Sequence, residues 1–404
     1  MTLADVLMVI ILVGLVLYVV LGGADFGAPV WQVLAGRGPH AEEIREHAHE
    51  AMAPVWEANH VWLIFVITVM WTAFPVALGS IASTLCVPLF LAGVGIIARG
   101  AAYALRAGTT SSAQVKAIDM VSGISSVLTP FALGAALGGI ASGRVPVGNA
   151  RGDLMTSWLN PTSITIGVIA VISCAYLAAV FLAADAVRRD EPALAAEFRR
   201  RALIAGAVAG LVAAAGLVVL RSDARGLFDE LVGGDGLVGL IVSALAGIVT
   251  VIALLRGRSE LARYGSAVAV AGVVGGWALA QAPVILPGLT VDQAAAPHDT
   301  LVATLVAIIA GAAILFPSLG LLFRLVLGGR LGDGADEPAA PGAWQLLEAS
   351  AAGLRGRAAV ACAVVGFGFL TVADAGWAHV IGVVALLSAI CLGFLAAVPA
   401  LLPE

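Results

Sequence analysis

Residues 6–27 read VLMVIILVGLVLYVVLGGADFG, with no charged side chain before Asp25. A helix needs about 20 apolar residues to cross the hydrocarbon core of a bilayer. The run therefore predicts a membrane span near 5–22, with Asp25 just beyond its end. It lacks a basic leader and an Ala-x-Ala cleavage site, so it reads as a retained span rather than a signal peptide.

Runs of the same kind recur near 58–77, 79–104, 118–141, 162–187, 202–220, 236–255, 264–286 and 300–327. A polar segment rich in Gly, Pro and Asp follows (Gly329 to Gly342), and then apolar stretches near 358–372 and 377–401. The expected fold class is an all-α integral membrane protein with nine core spans and one or two extra C-terminal spans. It divides into a membrane domain over 1–328, a polar linker over 329–357 and a hydrophobic extension over 358–404. Composition agrees: 61% of the 404 residues are hydrophobic and 12% charged, which no water-soluble domain of this length sustains.

Lys and Arg near span ends are retained on the cytoplasmic side. Loops after odd-numbered spans hold Arg37, Arg45, Arg106, Lys116, Arg188, Arg189, Arg199, Arg200, Arg201, Arg256, Arg258 and Arg263, whereas the other loops offer only Arg144, Arg151, Arg221 and Arg225. The odd loops are expected inside and the amino terminus outside. Basic residues confined to loops argue against nucleic-acid binding. Cys86, Cys174, Cys362 and Cys391 lie in apolar runs without a Cys-x-x-Cys pair or a nearby His, and read as packing residues rather than metal ligands. The spacings Gly134 to Gly138 and Gly206 to Gly210 set small residues one turn apart, which permits close helix contact.

Ionisable groups within or beside spans require a partner, a wet path or a place near the headgroups. Asp25, Glu57, Arg99 and Asp119 are such groups, and the expected orientation brings all four to the cytoplasmic edge. They suit a proton entry, with Arg99 favouring the charged form of whichever acid it touches. They equally suit helix capping and snorkelling. His60 is read as hydrogen-bonded beside Glu57 and Asn59 rather than as a haem ligand, since a bis-His or His-Met site needs a second ligand at depth. His40, His47, His49, His298 and His379 are expected in solvent. Six tryptophans, Trp56, Trp62, Trp71, Trp158, Trp277 and Trp377, are expected at the interface.

The segment Pro54-Val55-Trp56-Glu57-Ala58-Asn59-His60-Val61-Trp62-Leu63, followed by Trp71-Thr72-Ala73-Phe74-Pro75, closely resembles subunit II of cytochrome bd quinol oxidases. Gly23 to Gly27, Arg99-Gly100, Asp119 leading into Thr129-Pro130-Phe131, Leu159-Asn160-Pro161, Gly276 to Pro283, Leu289-Thr290 and Ala294 to Pro297 agree in order. The resemblance covers about residues 1–330.

It implies two four-helix bundles plus one helix, in a bacterial cytoplasmic-membrane enzyme that oxidises quinol and reduces dioxygen to water. It also implies that haem b and haem d reside in the partner, subunit I, and that this chain holds no catalytic residue or metal of its own. Glu57 would bring cytoplasmic protons toward the oxygen-reducing haem, where Asp is common in the family. Asp25 and Asp119 would support that relay, with Trp56, Asn59, His60 and Arg99 as supporting polar or interface residues. A structural quinone and a small accessory subunit are further partners the resemblance allows, and membrane lipid surrounds the whole. A proton-coupled transporter and a non-catalytic scaffold are the competing classes. Coupling residues in transporters lie near the midplane at broken helices, whereas the ionisable residues here sit toward one face.

Overall fold

The computed structural model describes residues 1–36, 40–50, 56–106, 112–327, 353–372 and 376–401. Arg37, most of the polar linker and the end of the extension lie outside the described residues. The chain forms two compact units, Met1–Ala313 and Ile314–Glu404, each taken by itself below.

The regular secondary structure of the first unit is helical except for one hairpin. Helix α1 (Leu3–Leu17) starts at a capping box between Thr2 and Asp5. It passes through a π-turn (Tyr18–Gly22) into α2 (Gly23–Val33), so one apolar rod runs from Leu3 to Val33. This corrects the expected end of the first span: Gly22-Gly23 does not stop the helix, and Asp25 lies inside it. Packing supplies the reason, because Gly23 abuts Leu177 and Gly27 lies directly on the backbone of Cys174 in α8 (Pro161–Arg188). A glycine pair that costs helix propensity in water is retained where small residues let two helices approach.

The amphipathic α3 (Ala41–Glu50) precedes α4 (Trp56–Ala73). The predicted boundary between spans two and three is displaced. The helix breaks at Phe74 (φ −135°, ψ 56°), and a short α5 (Pro75–Thr84) connects it to α6 (Cys86–Arg106). Pro75 at the first helical position explains the break, since proline tolerates that site and lacks the N–H an unbroken helix would use. Next come α7 (Ser112–Ala141), α8 and α9 (Pro192–Asp223), then α10 (Arg225–Gly233), α11 (Gly236–Leu255) and α12 (Ser259–Gln281). The strands β1 (Val284–Leu286) and β2 (Leu289–Thr290) pair antiparallel where the eighth span was expected to end. A one-turn α13 (Val291–Ala294) and α14 (His298–Leu327) follow.

Seven helices among the described residues are long and apolar enough to span a membrane. Helix α12 is not among them, and α4 falls in the shorter class as Asn59–Ala73. In the second unit α15 (Leu354–Val372) and α16 (Gly376–Leu401) pack on each other, a Cβ at Gly366 coming within 2.7 Å of Leu386.

Helix α8 is the central post, packed against α2, α7, α9 and α12. Glycines set the spacing: a Cβ at Gly134 would lie 2.8 Å from that of Ala170, and Gly138 abuts Ser163. Gly206 likewise meets the Tyr176 ring, but Gly210 faces open space, so the second predicted pair is only half used. The end of α8 bearing Pro161 is held by polar side chains. Asn160 Oδ1 accepts from the Ser163 N–H at 2.9 Å, and the Asp223 carboxylate accepts from both the N–H and the hydroxyl of Thr162 and from Arg144. Asn160→Ala should lower stability by about 1 kcal/mol, read as a lower melting temperature of the purified protein with an unchanged helical spectrum.

Two expectations about polar residues are overturned. His47 is buried, with Nε2 3.1 Å from the Leu182 carbonyl, Nδ1 3.2 Å from Glu191 Oε2 and its ring 5.5 Å from that of Phe198. Trp158 is buried rather than interfacial, donating to the Leu154 carbonyl at 3.0 Å.

Candidate functional site

The buried pair Asp25 and Arg99 is the centre of the polar residues singled out in the sequence. Asp25 is wholly buried and Arg99 is 7% exposed. Arg99 donates from one terminal nitrogen to Asp25 Oδ1 (2.6 Å) and to the Asp25 backbone carbonyl (2.8 Å), and from the other to Ser126 Oγ (3.0 Å). Its guanidinium also lies 4.9 Å from the centre of the Phe26 ring, within cation–π range. One side chain on α6 thus ties α2 to α7.

Local sequence explains why a carbonyl in the middle of a helix is available. Pro29 lies inside α2, four residues after Asp25. Proline has no N–H, so the Asp25 carbonyl loses its usual partner in the helix. A polar group freed in a membrane interior must be satisfied from elsewhere, and Arg99 does so. Neither the Pro29 relationship nor Ser126 entered the sequence reading. The spacing from Asp25 to Pro29 was the signal for the first; nothing in the sequence marks the second.

The π-turn gives α4 its foothold. Widened turns of this kind expose backbone groups and recur at functional sites. Here the Leu21 carbonyl accepts from Asn59 Nδ2 at 3.3 Å. The His60 ring stands edge-on to Tyr18, centroids 6.1 Å apart, and tilted against Phe26 at 5.6 Å. His60 is thus set between the Tyr18 and Phe26 rings, the first opening the π-turn and the second following Asp25 in sequence.

The structure therefore joins Asp25 with Arg99, and both with the Asn59–His60 turn of α4 through Phe26 and the π-turn. Glu57 and Trp56 occupy the first turn of α4, one turn before His60, but their side chains lie outside the described residues. Asp119 is half-buried on α7, seven residues before Ser126. Among the described residues no group of three or more His, Cys, Asp or Glu side chains is placed to hold a metal ion.

A family model for cytochrome bd terminal oxidase subunit II matches residues 3–326. The chain belongs to that family. Two Bacillus subtilis (strain 168) proteins are similar to this bd oxidase subunit II. A putative cytochrome bd menaquinol oxidase subunit II is 23% identical over 244 residues, 59% of this chain and 68% of the relative. A cytochrome bd ubiquinol oxidase subunit 2 is 29% identical over 133 residues, 33% of this chain and 38% of the relative. A solved structure of bd oxidase from Geobacillus thermodenitrificans shares 26% identity at a TM-score of 0.64, over 81% of this chain and 99% of that one. As a bd oxidase subunit II, the chain is a multi-pass membrane protein of a terminal oxidase complex, an oxidoreductase. The family match ends before α15 and α16.

Proposed function

We propose that the chain is the second subunit of a quinol:oxygen oxidoreductase. It supports a haem-bearing subunit I and brings protons from the cytoplasm toward the site of oxygen reduction. The match to the family over residues 3–326 carries this reading, and the fold shared with a bd oxidase structure supports it. The amino terminus faces outward, and quinol is the substrate of the complex rather than of this chain. Residues 358–404 form an extension beyond the family domain of 1–328, joined by the polar linker.

Within the proton entry, Glu57 is the carrier at the start of α4. A carboxyl group at the edge of a dry interior can take and release protons near neutral pH. Asp25 and Arg99 form a buried ion pair on α2 and α6, next to the π-turn and the Phe26 ring on which Asn59 and His60 of α4 rest. Asp119 adds a second acid on α7.

The test has two arms. Purified with its haem-bearing partner, the complex should give the reduced-minus-oxidised spectrum of bound haem; a chain that purifies without haem overturns the oxidase reading. In the same complex, Glu57→Gln should lower quinol oxidation about tenfold or more with haem content intact, and Glu57→Asp should restore much of it. Unchanged turnover in Glu57→Gln would remove the proton role and leave the oxidase reading standing.

A further inference from the structure

The turn between α8 and α9 adjoins the turn between α11 and α12. Arg188 reaches Glu260 at 3.7 Å, and an Arg199 nitrogen lies 3.8 Å from where a Cβ on Gly257 would stand. Arginines crowd this end of the bundle, and four of them are neutralised internally. Arg188 pairs with Asp185 and Glu260, Arg189 with Glu50 and Asp185, and Arg200 and Arg201 share Glu197. Arg263, in none of the ion pairs among the described residues, lies 4.8 Å from the centre of the Phe181 ring. Arg199, Arg256 and Arg258 enter none of those ion pairs either and have no such ring partner among the described residues.

These three cations are held near one another. Gly257 turns the chain with φ +69°, a left-handed conformation that glycine adopts without a steric penalty. The Gly257 N–H donates to the Leu254 carbonyl at 3.1 Å and the Arg258 N–H to the Ala253 carbonyl at 2.8 Å. Arg256 and Arg258 therefore flank a tight, closed turn, with Arg199 of α9 reaching its apex. Three like charges in one place repel, and a charge-complementary ligand relieves that cost.

Apolar surface of matching position lies beside them. On α11, Ile248, Ile252 and Leu255 are 56%, 43% and 67% exposed; on α12, Leu261, Tyr264 and Val268 are 45%, 68% and 47% exposed. Each set recurs at three- or four-residue spacing and so shares a helix face. Tyr264, one turn into α12 and largely exposed, suits the headgroup level. The two helices meet through Gly239, Gly272 and Gly276, and each stripe leads to the arginine-bearing turn.

We propose that Arg199, Arg256 and Arg258 bind the phosphate headgroup of an anionic phospholipid, whose acyl chains lie along the exposed stripes of α11 and α12. A phosphate diester accepts several charge-assisted hydrogen bonds from planar guanidinium groups. Retention of positive charge on one side of a membrane needs only a count of basic residues. A binding site requires these three in particular, and the ion-paired arginines beside them serve as its control.

The experiment uses the full-length chain with the subunits that co-purify with it, delipidated in a neutral detergent. Phosphatidylglycerol, phosphatidylcholine and inorganic phosphate are added separately, and the melting temperature is read. Phosphatidylglycerol should raise it by several degrees, and the other two should not. R199Q/R256Q/R258Q should lose that rise while melting as the parent does in phosphatidylcholine, whereas R200Q should keep it. If the triple variant fails to assemble, R256Q and R258Q, each at an exposed turn position, should each reduce the rise. An equal rise with inorganic phosphate, an equal rise with phosphatidylcholine, or a rise that survives the substitutions would overturn the site.

Discussion

Arg99→Leu should destabilise the folded chain by about 3–5 kcal/mol, the cost of stranding one partner of a buried ion pair. The guanidinium satisfies Asp25 twice, at Oδ1 and at the carbonyl that Pro29 leaves without a helical partner. Its removal leaves a carboxylate with no exposure to solvent and an orphaned carbonyl, each of which is costly in a membrane interior. The melting temperature and the yield of assembled complex should both fall sharply. Asp25→Leu combined with Arg99→Leu should recover at least half of the loss, because replacing both members of a buried pair with apolar groups is often close to neutral. A double variant as unstable as the single one would locate the cost elsewhere than in the uncompensated charge.

Gly27→Val should be nearly as damaging, through packing rather than charge. A Cβ at Gly27 would overlap the Cys174 carbonyl and come within 2.6 Å of the Ala178 Cβ. The overlap is with backbone, which no rotamer change relieves, so α2 must move away from α8. We expect a loss of about 3 kcal/mol or more, at the upper end of overpacking costs, read as a lower melting temperature or as failure to assemble. Gly210→Ala is the matched control. Nothing lies within 4 Å of a Cβ there, and alanine favours a helix over glycine by about 1 kcal/mol, so stability should hold or rise.

The sequence made the long apolar runs plain where charged or turn residues bracket them. The span read at 236–255 coincides with α11, which lies between Asp235 and Arg256. It failed where tertiary contact outweighs local preference. Gly22-Gly23 has the composition of a stop, yet the helix continues along α8, meeting Leu177 at Gly23 and lying directly on the Cys174 backbone at Gly27. Pro75, within the span expected over 58–77, starts a separate helix, α5.

The need of Asp25 and Arg99 for partners was legible from their chemistry. That they partner each other was not, since it depends on how α2, α6 and α7 come together. His47 was misjudged from its acidic neighbours. Ala41, Ile44, His47 and Ala48 form the buried face of α3, and that helical spacing was present in the sequence.

The π-turn at Tyr18–Gly22 has a further consequence, which concerns phase. An α-helix advances about 100° per residue, and a π-turn absorbs one residue beyond the regular count. A rod of unbroken α-helix from Leu3 would present residue 25 about a quarter-turn away from where it now points. The buried face of α1, at Ala4, Leu7, Ile11 and Gly14, and the acid facing Arg99 are therefore out of register by one residue. The widened turn is the gear that lets a single rod serve both, so a residue gained or lost between Gly14 and Asp25 would disengage one face from its neighbours while leaving the other in place.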